Sequence, residues 1–156
     1  MKPIILLFSA FLLFACSKAA DPAPTPVAPT PTAAELVKKV WTASQVQWDG
    51  TTQYDKTSSS NLVAGYSQFR LDLSSSTAAS LTEFDGKKFT GTYSLSSDAK
   101  KLTLSGLTSS EGAPSGTNGV LEFSVLSTPT ATSLSLETTG TYVKASSKKV
   151  KLTLAP

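Results

Sequence analysis

The chain has 156 residues, a formal net charge of +3, one cysteine and no histidine. Its basic residues are scattered along the sequence, which argues against a nucleic-acid partner. The lack of histidine excludes Ser-His-Asp and Cys-His catalysis and the commonest zinc and copper sites, and a single cysteine cannot form an internal disulfide. Serine and threonine supply 45 residues, with apolar residues recurring singly between them, and this composition favours one all-β domain.

The first fifteen residues predict a secretion signal, because Lys2 precedes an apolar run that is too short for a transmembrane helix. The segment Leu13-Phe14-Ala15-Cys16 resembles a bacterial lipobox. We therefore expect residues 1–15 to be removed and Cys16 to carry a lipid that anchors the protein to a membrane. The alternative is an ordinary signal with an uncleaved cysteine. Ser17 after the cysteine resembles sorting patterns for the outer membrane of a Gram-negative bacterium, on either face.

Residues 16–31 form a proline-rich segment, with prolines every two or three residues from Pro22 onward. Such a segment cannot enter a helix or sheet interior, and where it adopts polyproline II it extends by about 3.1 Å per residue. We interpret it as a spacer, the alternative being an expendable disordered N-terminus. Residues 32–156 are the predicted domain. It begins with a capping box, Thr32 with Glu35, which predicts a helix over residues 33–39.

The first predicted strand covers residues 40–48 and ends at the turn dipeptide Asp49-Gly50. Val46 and Trp48 share one face of this strand, but Trp41 has the opposite parity, so we expect a bulge or bend between them. Residues 50–64 are predicted to be a long polar loop.

Period-two alternation predicts the remaining strands. Asp85-Gly86 predicts the turn of a hairpin. Gly91 lies on the apolar face of the following strand, where the missing side chain predicts a sharp bend or the close approach of a neighbour. Residues 108–119 are predicted to be an exposed, mobile loop, and Gly140 to mark a bulge. These strands are residues 66–73, 79–84, 88–95, 101–105, 120–126, 133–142 and 149–154.

About eight antiparallel strands in sequence order form a meander, which can close into a small barrel and so remove its edges. A small two-sheet sandwich is the alternative. The expected fold class is therefore all-β with a short N-terminal helix.

Three local patterns occur in order: residues 36–41 before the Asp49-Gly50 turn, residues 91–95 with 101–104, and residues 133–136 with 149–154. They resemble the opening strand, central hairpin and closing strand pair of the lipocalin-like lipoproteins of Gram-negative bacteria. One departure is Lys39, two residues before Trp41, where true lipocalins have glycine. The resemblance implies an up-and-down barrel or half-barrel, and it implies no particular ligand.

Aromatic residues in the predicted strands are the candidate lining of an apolar ligand cavity, since ligand pockets are mostly apolar. The alternative is a filled core, which we favour because an eight-stranded interior is only just wide enough for its own side chains. The candidate ligand-binding residues are Trp41, Trp48, Phe69, Phe89, Tyr93 and Phe123.

Charged residues form no motif suited to acid–base catalysis. We expect Glu83, Asp85, Glu111 and Glu122 to lie on solvated faces and turns. A basic cluster near the C-terminus could contact anionic lipid, although protection of an edge strand explains it better. Its members are Lys144, Lys148, Lys149 and Lys151.

The sequence therefore predicts a non-catalytic, membrane-anchored, monomeric domain without metal or cofactor. Its expected function is to bind a small apolar or amphipathic ligand at the cell envelope, with residues 50–64 as a lid. The alternative is a structural or interaction protein whose loops contact an envelope partner.

Overall fold

The computed structural model describes residues 29–156, so the predicted signal peptide, Cys16 and most of the proline-rich segment lie outside the described residues. Within that range the chain forms one short α-helix, nine strands and two 3₁₀ helices. The 3₁₀ helices are Ala64–Gln68 and Val143–Ala145. The other elements are α1 (Ala33–Val37), β1 (Val40–Trp48), β2 (Thr51–Asp55), β3 (Arg70–Asp72), β4 (Ala78–Thr82), β5 (Lys88–Leu95), β6 (Lys101–Thr108), β7 (Leu121–Val125), β8 (Leu134–Thr138) and β9 (Val150–Ala155).

Eight strands close into an antiparallel barrel. Strands β3 to β9 pair in sequence order, and β1 pairs with β3 on one edge and with β9 on the other. β2 is an additional strand. It pairs with the second half of β1, on the same edge of β1 where β3 pairs with the first half. The predicted all-β meander is confirmed, and the sheet forms a closed barrel instead of the alternative sandwich.

The predicted irregularity in β1 is present. The pairing of β1 with β9 shifts register between Ala43 and Gln45, and the pairing with β2 shifts between Val46 and Gln47. The first shift reverses the parity of the strand, so that Trp41 and Val46 are both fully buried although they are five positions apart.

The predicted loop over residues 50–64 is wrong in its first part, which is β2. Asp49 and Gly50 have φ values of 45° and 83°, the two positive angles of a type I′ turn, and this turn type directs the chain back along β1. The remaining residues of the segment lead into the 3₁₀ helix.

The predicted strand over residues 66–73 is also wrong in its first half, which is the 3₁₀ helix Ala64–Gln68. Its alternation is confirmed in the second half, where Phe69, Leu71 and Leu73 are all buried on either side of and within the short β3. A Cβ built on Gly65 would lie 2.2 Å from the carbonyl oxygen of Phe84, so the backbone approaches the β4–β5 turn as only glycine permits. Packing of Tyr66 against this turn outweighs its strand propensity.

The helix closes one end of the barrel, which we call the helix end. The capping box is confirmed, since Thr32 Oγ1 accepts from the Glu35 amide and the Glu35 carboxylate accepts from the Thr32 amide. The buried indole of Trp41 donates to the Val37 carbonyl at 2.9 Å, which fixes the last turn of α1 over the core.

Gly91 permits the close approach that the sequence predicts. A Cβ at this position would lie 2.5 Å from the Ser105 carbonyl oxygen, where the β5–β6 register shifts. Gly140 lies beyond the end of β8, outside any strand, so the bulge predicted there is wrong.

The opposite end of the barrel, the loop end, carries the turn at residues 49–50 and the loops at residues 83–87, 109–120 and 139–149. The exposed loop predicted over residues 108–119 is partly internal, since Pro114 is fully buried. Inward-facing leucines, valines and aromatic residues fill the space between the two ends as one core.

Candidate functional site

Two of the six aromatic candidates lie at the helix end and have structural contacts. Trp41 is bonded to α1 as described above. The hydroxyl of Tyr93 donates to the carbonyl oxygens of Leu73 and Ser75, at 3.2 and 2.8 Å, and so ties β5 to the β3–β4 turn. The structure therefore places Trp41 and Tyr93 apart from the other four candidates.

The other four candidates lie toward the loop end. Phe69 and Phe123 line a small cavity inside the barrel. Trp48 packs against residues of the cavity wall, and the Phe89 ring lies 5.9 Å from the ammonium of Lys144.

This inner cavity has a volume of about 30 Å³. A cavity needs roughly 10–15 Å³ to hold one water molecule, so the space matches about two waters or one compact polar group. None of its lining residues comes from residues 50–64, the predicted lid. The lining residues are Tyr66, Phe69, Leu81, Glu83, Phe84, Leu121, Phe123, Tyr142, Val150 and Leu152.

An aromatic cluster forms the cavity wall on the side of the 3₁₀ helix. Tyr66 lies at its centre, with ring centroids 4.9 Å from Phe84, 6.2 Å from Phe69, 6.3 Å from Tyr54 and 6.4 Å from Trp48. The Tyr66 hydroxyl accepts from the Trp48 indole at 2.9 Å. Burial raises the pKa of Tyr66 to about 12, so this hydroxyl is neutral at physiological pH.

A charged cluster lies beside the same cavity and consists of Glu83, Asp85 and Lys144. The Lys144 ammonium contacts Glu83 Oε2 and lies 2.7 Å from Asp85 Oδ2. The side chains of Glu83 and Lys144 are 3% and 15% exposed, so the pair is largely shielded from solvent. This arrangement ties the loop at residues 139–149 to the β4–β5 turn.

The three charges titrate differently. Burial raises the pKa of Glu83 above its ordinary value, because it outweighs the hydrogen bond and the charge of Lys144. Burial also opposes ionisation of Asp85, but hydrogen bonds from Lys144 and the Lys87 amide outweigh it and lower the pKa of Asp85. Burial of Lys144 is likewise outweighed by its two carboxylate partners, which raise its pKa. Lys144 and Asp85 are therefore firmly charged at neutral pH.

Two buried polar atoms at this site have no hydrogen-bond partner within residues 29–156. They are Glu83 Oε1 and the hydroxyl oxygen of Tyr142, and both residues line the inner cavity. Nearly all buried polar atoms in native proteins are bonded, to protein or to ordered water. The expectation that Glu83 lies on a solvated face is wrong, because Glu83 continues the inward phase of Ala79 and Leu81.

A second space, the outer cleft, lies next to the inner cavity and has a volume of about 290 Å³. Leu121 and Tyr142 line both spaces. The rest of the cleft wall is mostly threonine and glycine from the loops and strand ends, namely Gly116, Thr117, Val120, Glu122, Thr138, Thr139, Gly140 and Thr141.

The other predicted carboxylates are on the surface, as expected. Glu111 pairs with Lys87, and Glu122 pairs with Lys101 at 2.5 Å, and all four side chains are well exposed. Lys144 of the predicted basic cluster is paired with the buried Glu83 and is itself largely shielded from solvent.

The site residues that the sequence reasoning missed are Tyr66, Glu83, Phe84, Tyr142 and Lys144. A signal existed for Glu83, because period-two alternation from Ala79 and Leu81 places it inward. Tyr142 and Lys144 lie in a loop without periodicity, where only the tertiary structure shows which side chains turn inward.

In the part of the chain described here, no group of three or more acidic, histidine or cysteine side chains is arranged to hold a metal ion. The described helices include none with the length and apolar character needed to cross a membrane.

No protein-family model matches the chain, and neither does any curated protein. Among solved structures, a lipocalin-like protein from Bacteroides uniformis is similar to this chain. The match covers 75% of this chain and 94% of that protein, with 19% sequence identity and a TM-score of 0.48. An uncharacterized protein from Bacteroides eggerthii is also similar. This match covers 75% of this chain and 96% of that protein, with 15% sequence identity and a TM-score of 0.45. Likeness at this level says nothing about ligand, partner or activity.

Proposed function

We propose that this chain is a non-catalytic binding module of the cell envelope, and that its barrel binds a small amphipathic ligand at the loop end. The observation that carries the proposal is the pair of unbonded polar atoms, Glu83 Oε1 and the Tyr142 hydroxyl, in residues that line an otherwise apolar cavity. Ligand sites combine apolar walls with a few polar groups in this way.

A buried polar group without a hydrogen-bond partner lowers the stability of the fold by about 1–3 kcal/mol, and by more when it is charged. Two such groups beside one cavity lower stability unless a water or a ligand bonds to them. A ligand with one polar group in the inner cavity would recover this free energy on binding, while its remaining part would occupy the outer cleft.

Leu121 and Tyr142 line both the inner cavity and the outer cleft, so movement of this shared wall would join the two spaces. The loop that carries Tyr142 also contains two successive non-glycine residues in the left-handed region, Ser146 and Ser147, with φ values of 55° and 56°. Backbone strain of this kind costs about 1–3 kcal/mol per residue and clusters at binding sites and switch regions. These features support the loop at residues 139–149 as the gate, instead of residues 50–64.

The second part of the proposal is location. The lipobox-like segment ending at Cys16 and the proline-rich residues 16–31 support a lipid anchor with a spacer, and Ser17 supports the outer membrane. Several acyl chains contribute about 0.8 kcal/mol per buried methylene, so such an anchor is effectively permanent.

Mass spectrometry of small molecules that copurify with the protein from its native host tests the binding proposal. The matched control is Leu81→Phe, which adds ring volume to the wall of the inner cavity. We expect at least one compound to be enriched with the wild-type protein and absent from the folded variant. The same compounds at the same abundance in both samples, or none in either, would contradict the proposal.

A further inference from the structure

We propose that the ligand's polar group is a primary ammonium, held between Glu83 Oε1 and the Tyr142 hydroxyl. This inference rests on the proposed function and names the chemical class that the loop-end site selects. It predicts that the site accepts amines and rejects carboxylic acids.

The charge balance of the site favours a cation. Glu83 and Asp85 supply two carboxylates, whereas Lys144 supplies one ammonium that both carboxylates already share. The neighbouring Lys87 is paired with Glu111 and does not change the balance. One negative charge is therefore left over at the edge of the inner cavity.

The hydrogen-bonding capacity of the site leads to the same class. An ionised carboxylate oxygen only accepts hydrogen bonds, and an ammonium offers three donors and no acceptor. Glu83 Oε1 lacks a donor, and the Tyr142 oxygen can accept as well. A carboxylate ligand could not donate to Glu83, and it would place a third negative charge beside Glu83 and Asp85.

The size and lining of the inner cavity also fit an ammonium. Its volume of about 30 Å³ accommodates a compact polar group but not an alkyl tail. Tyr66 and Phe84 present aromatic rings in its wall, and such rings attract cations. The aliphatic part of the ligand would extend past Leu121 into the outer cleft, where Val120 lies.

Isothermal titration of the purified protein with hexylamine, hexan-1-ol and hexanoate tests this inference. The three probes share one chain and differ only in the polar group. We expect hexylamine to bind at least about 10-fold more tightly than hexan-1-ol, equivalent to about 1.4 kcal/mol, and hexanoate to bind most weakly. Equal or tighter binding of hexan-1-ol or hexanoate would overturn the ammonium assignment while leaving a binding site in place. No binding of any probe would overturn both proposals and indicate a cavity filled by water alone.

The matched variants are Glu83→Gln and Glu137→Gln, which remove the same charge. Glu137 lies on the outer face of β8, opposite Lys151 on β9. We expect the amine preference to disappear in Glu83→Gln and to persist in Glu137→Gln. An amine preference that survives Glu83→Gln would contradict the role of Glu83.

A primary ammonium is also found on ethanolamine lipids, so the source of the group needs its own test. The phosphate beside that ammonium would lie near the same carboxylates, and we therefore assign the site to a free amine. Vesicles of phosphatidylethanolamine should not compete with hexylamine. Competition by these vesicles, but not by phosphatidylcholine vesicles, would overturn the free-amine assignment.

Discussion

At the scale of single residues, Glu83 combines a proposed binding role with reduced stability of the fold. Burial raises the pKa of Glu83 in the folded chain, and the charge of Asp85 raises it further. The charges of Lys144 and Lys87 lower this pKa but do not cancel the effect of burial. Because the folded pKa lies above the unfolded value, this carboxyl contributes stability below its unfolded pKa and loses that contribution as pH rises through the folded pKa. Its ionised form is therefore tolerated by the fold rather than favoured by it.

We accordingly predict that Glu83→Gln unfolds near neutral pH with a free energy equal to or greater than that of the wild-type protein. Lys144 retains Asp85 as a partner in this variant. On mild acidification the wild-type protein should gain stability relative to the variant, because only the wild type takes up a proton at this position. Urea denaturation of both proteins at the two pH values measures the difference. A clear loss of stability in the variant near neutral pH would contradict the pKa direction.

Glycine substitutions provide a second prediction at this scale. Gly91→Ala would place a Cβ 2.5 Å from the Ser105 carbonyl oxygen, whereas a Cβ at Gly140 would have no neighbour within 4 Å. We expect Gly91→Ala to lower the free energy of unfolding by about 1–3 kcal/mol, because the added methyl group overpacks this site. Gly140→Ala should leave the free energy of unfolding unchanged or raise it by up to about 1 kcal/mol, because alanine restricts the conformations of the unfolded chain. Thermal unfolding of the two variants distinguishes these outcomes, and equal effects would contradict the close approach assigned to Gly91.

At the scale of elements, the sequence predicts correctly those features that are determined by contacts between residues close together in the chain. The capping box of Thr32 and Glu35, the turn at residues 49–50 and the parity break in β1 are each legible in a few residues. The 3₁₀ helix Ala64–Gln68 is not, because its five residues carry no helical pattern and its position depends on contact with the distant β4–β5 turn. The same reason hides much of the site, because its walls combine strand residues with residues of the 3₁₀ helix and of the loops at 83–87, 109–120 and 139–149.

Docking of this 3₁₀ helix can be tested through its one side-chain hydrogen bond to β1. Tyr66→Phe removes the acceptor of the Trp48 indole and leaves that donor partly buried. We predict a loss of about 1 kcal/mol in the free energy of unfolding. Tyr54→Phe is the control from the same aromatic cluster, because its hydroxyl makes no hydrogen bond within residues 29–156, and its effect should stay within about 0.5 kcal/mol. A similar loss in both variants would show that the Trp48 bond does not hold the helix.

At the scale of the whole molecule, the closed barrel leaves β2 as its one additional strand, and this strand extends the sheet without entering the ring. Trp41 holds α1 at the helix end, and the two spaces proposed for the ligand lie at the loop end. The proposed anchor precedes α1 in the sequence. A tether at the helix end would leave the loop end free to exchange ligand.

The anchor itself is tested by Cys16→Ala, with Ser17→Ala as the control. We predict that the cysteine variant leaves the membrane fraction for the soluble fraction of disrupted cells, because Cys16 is the only cysteine in the chain. The serine variant should remain with membranes. Sedimentation of Cys16→Ala with membranes to the wild-type extent would contradict lipidation at this residue.

The most direct test of ligand binding at the loop end uses the two tryptophans of the chain as reporters. Trp48 donates to Tyr66 in the cavity wall, whereas Trp41 donates to Val37 at the opposite end of the barrel. The ¹⁵N-labelled protein would be titrated in turn with hexylamine and hexan-1-ol while both indole N–H resonances are followed by NMR. We predict a saturable shift of the Trp48 resonance with at least one compound and an unchanged Trp41 resonance. Equal shifts of both resonances, or no shift of Trp48 with either compound, would contradict this prediction.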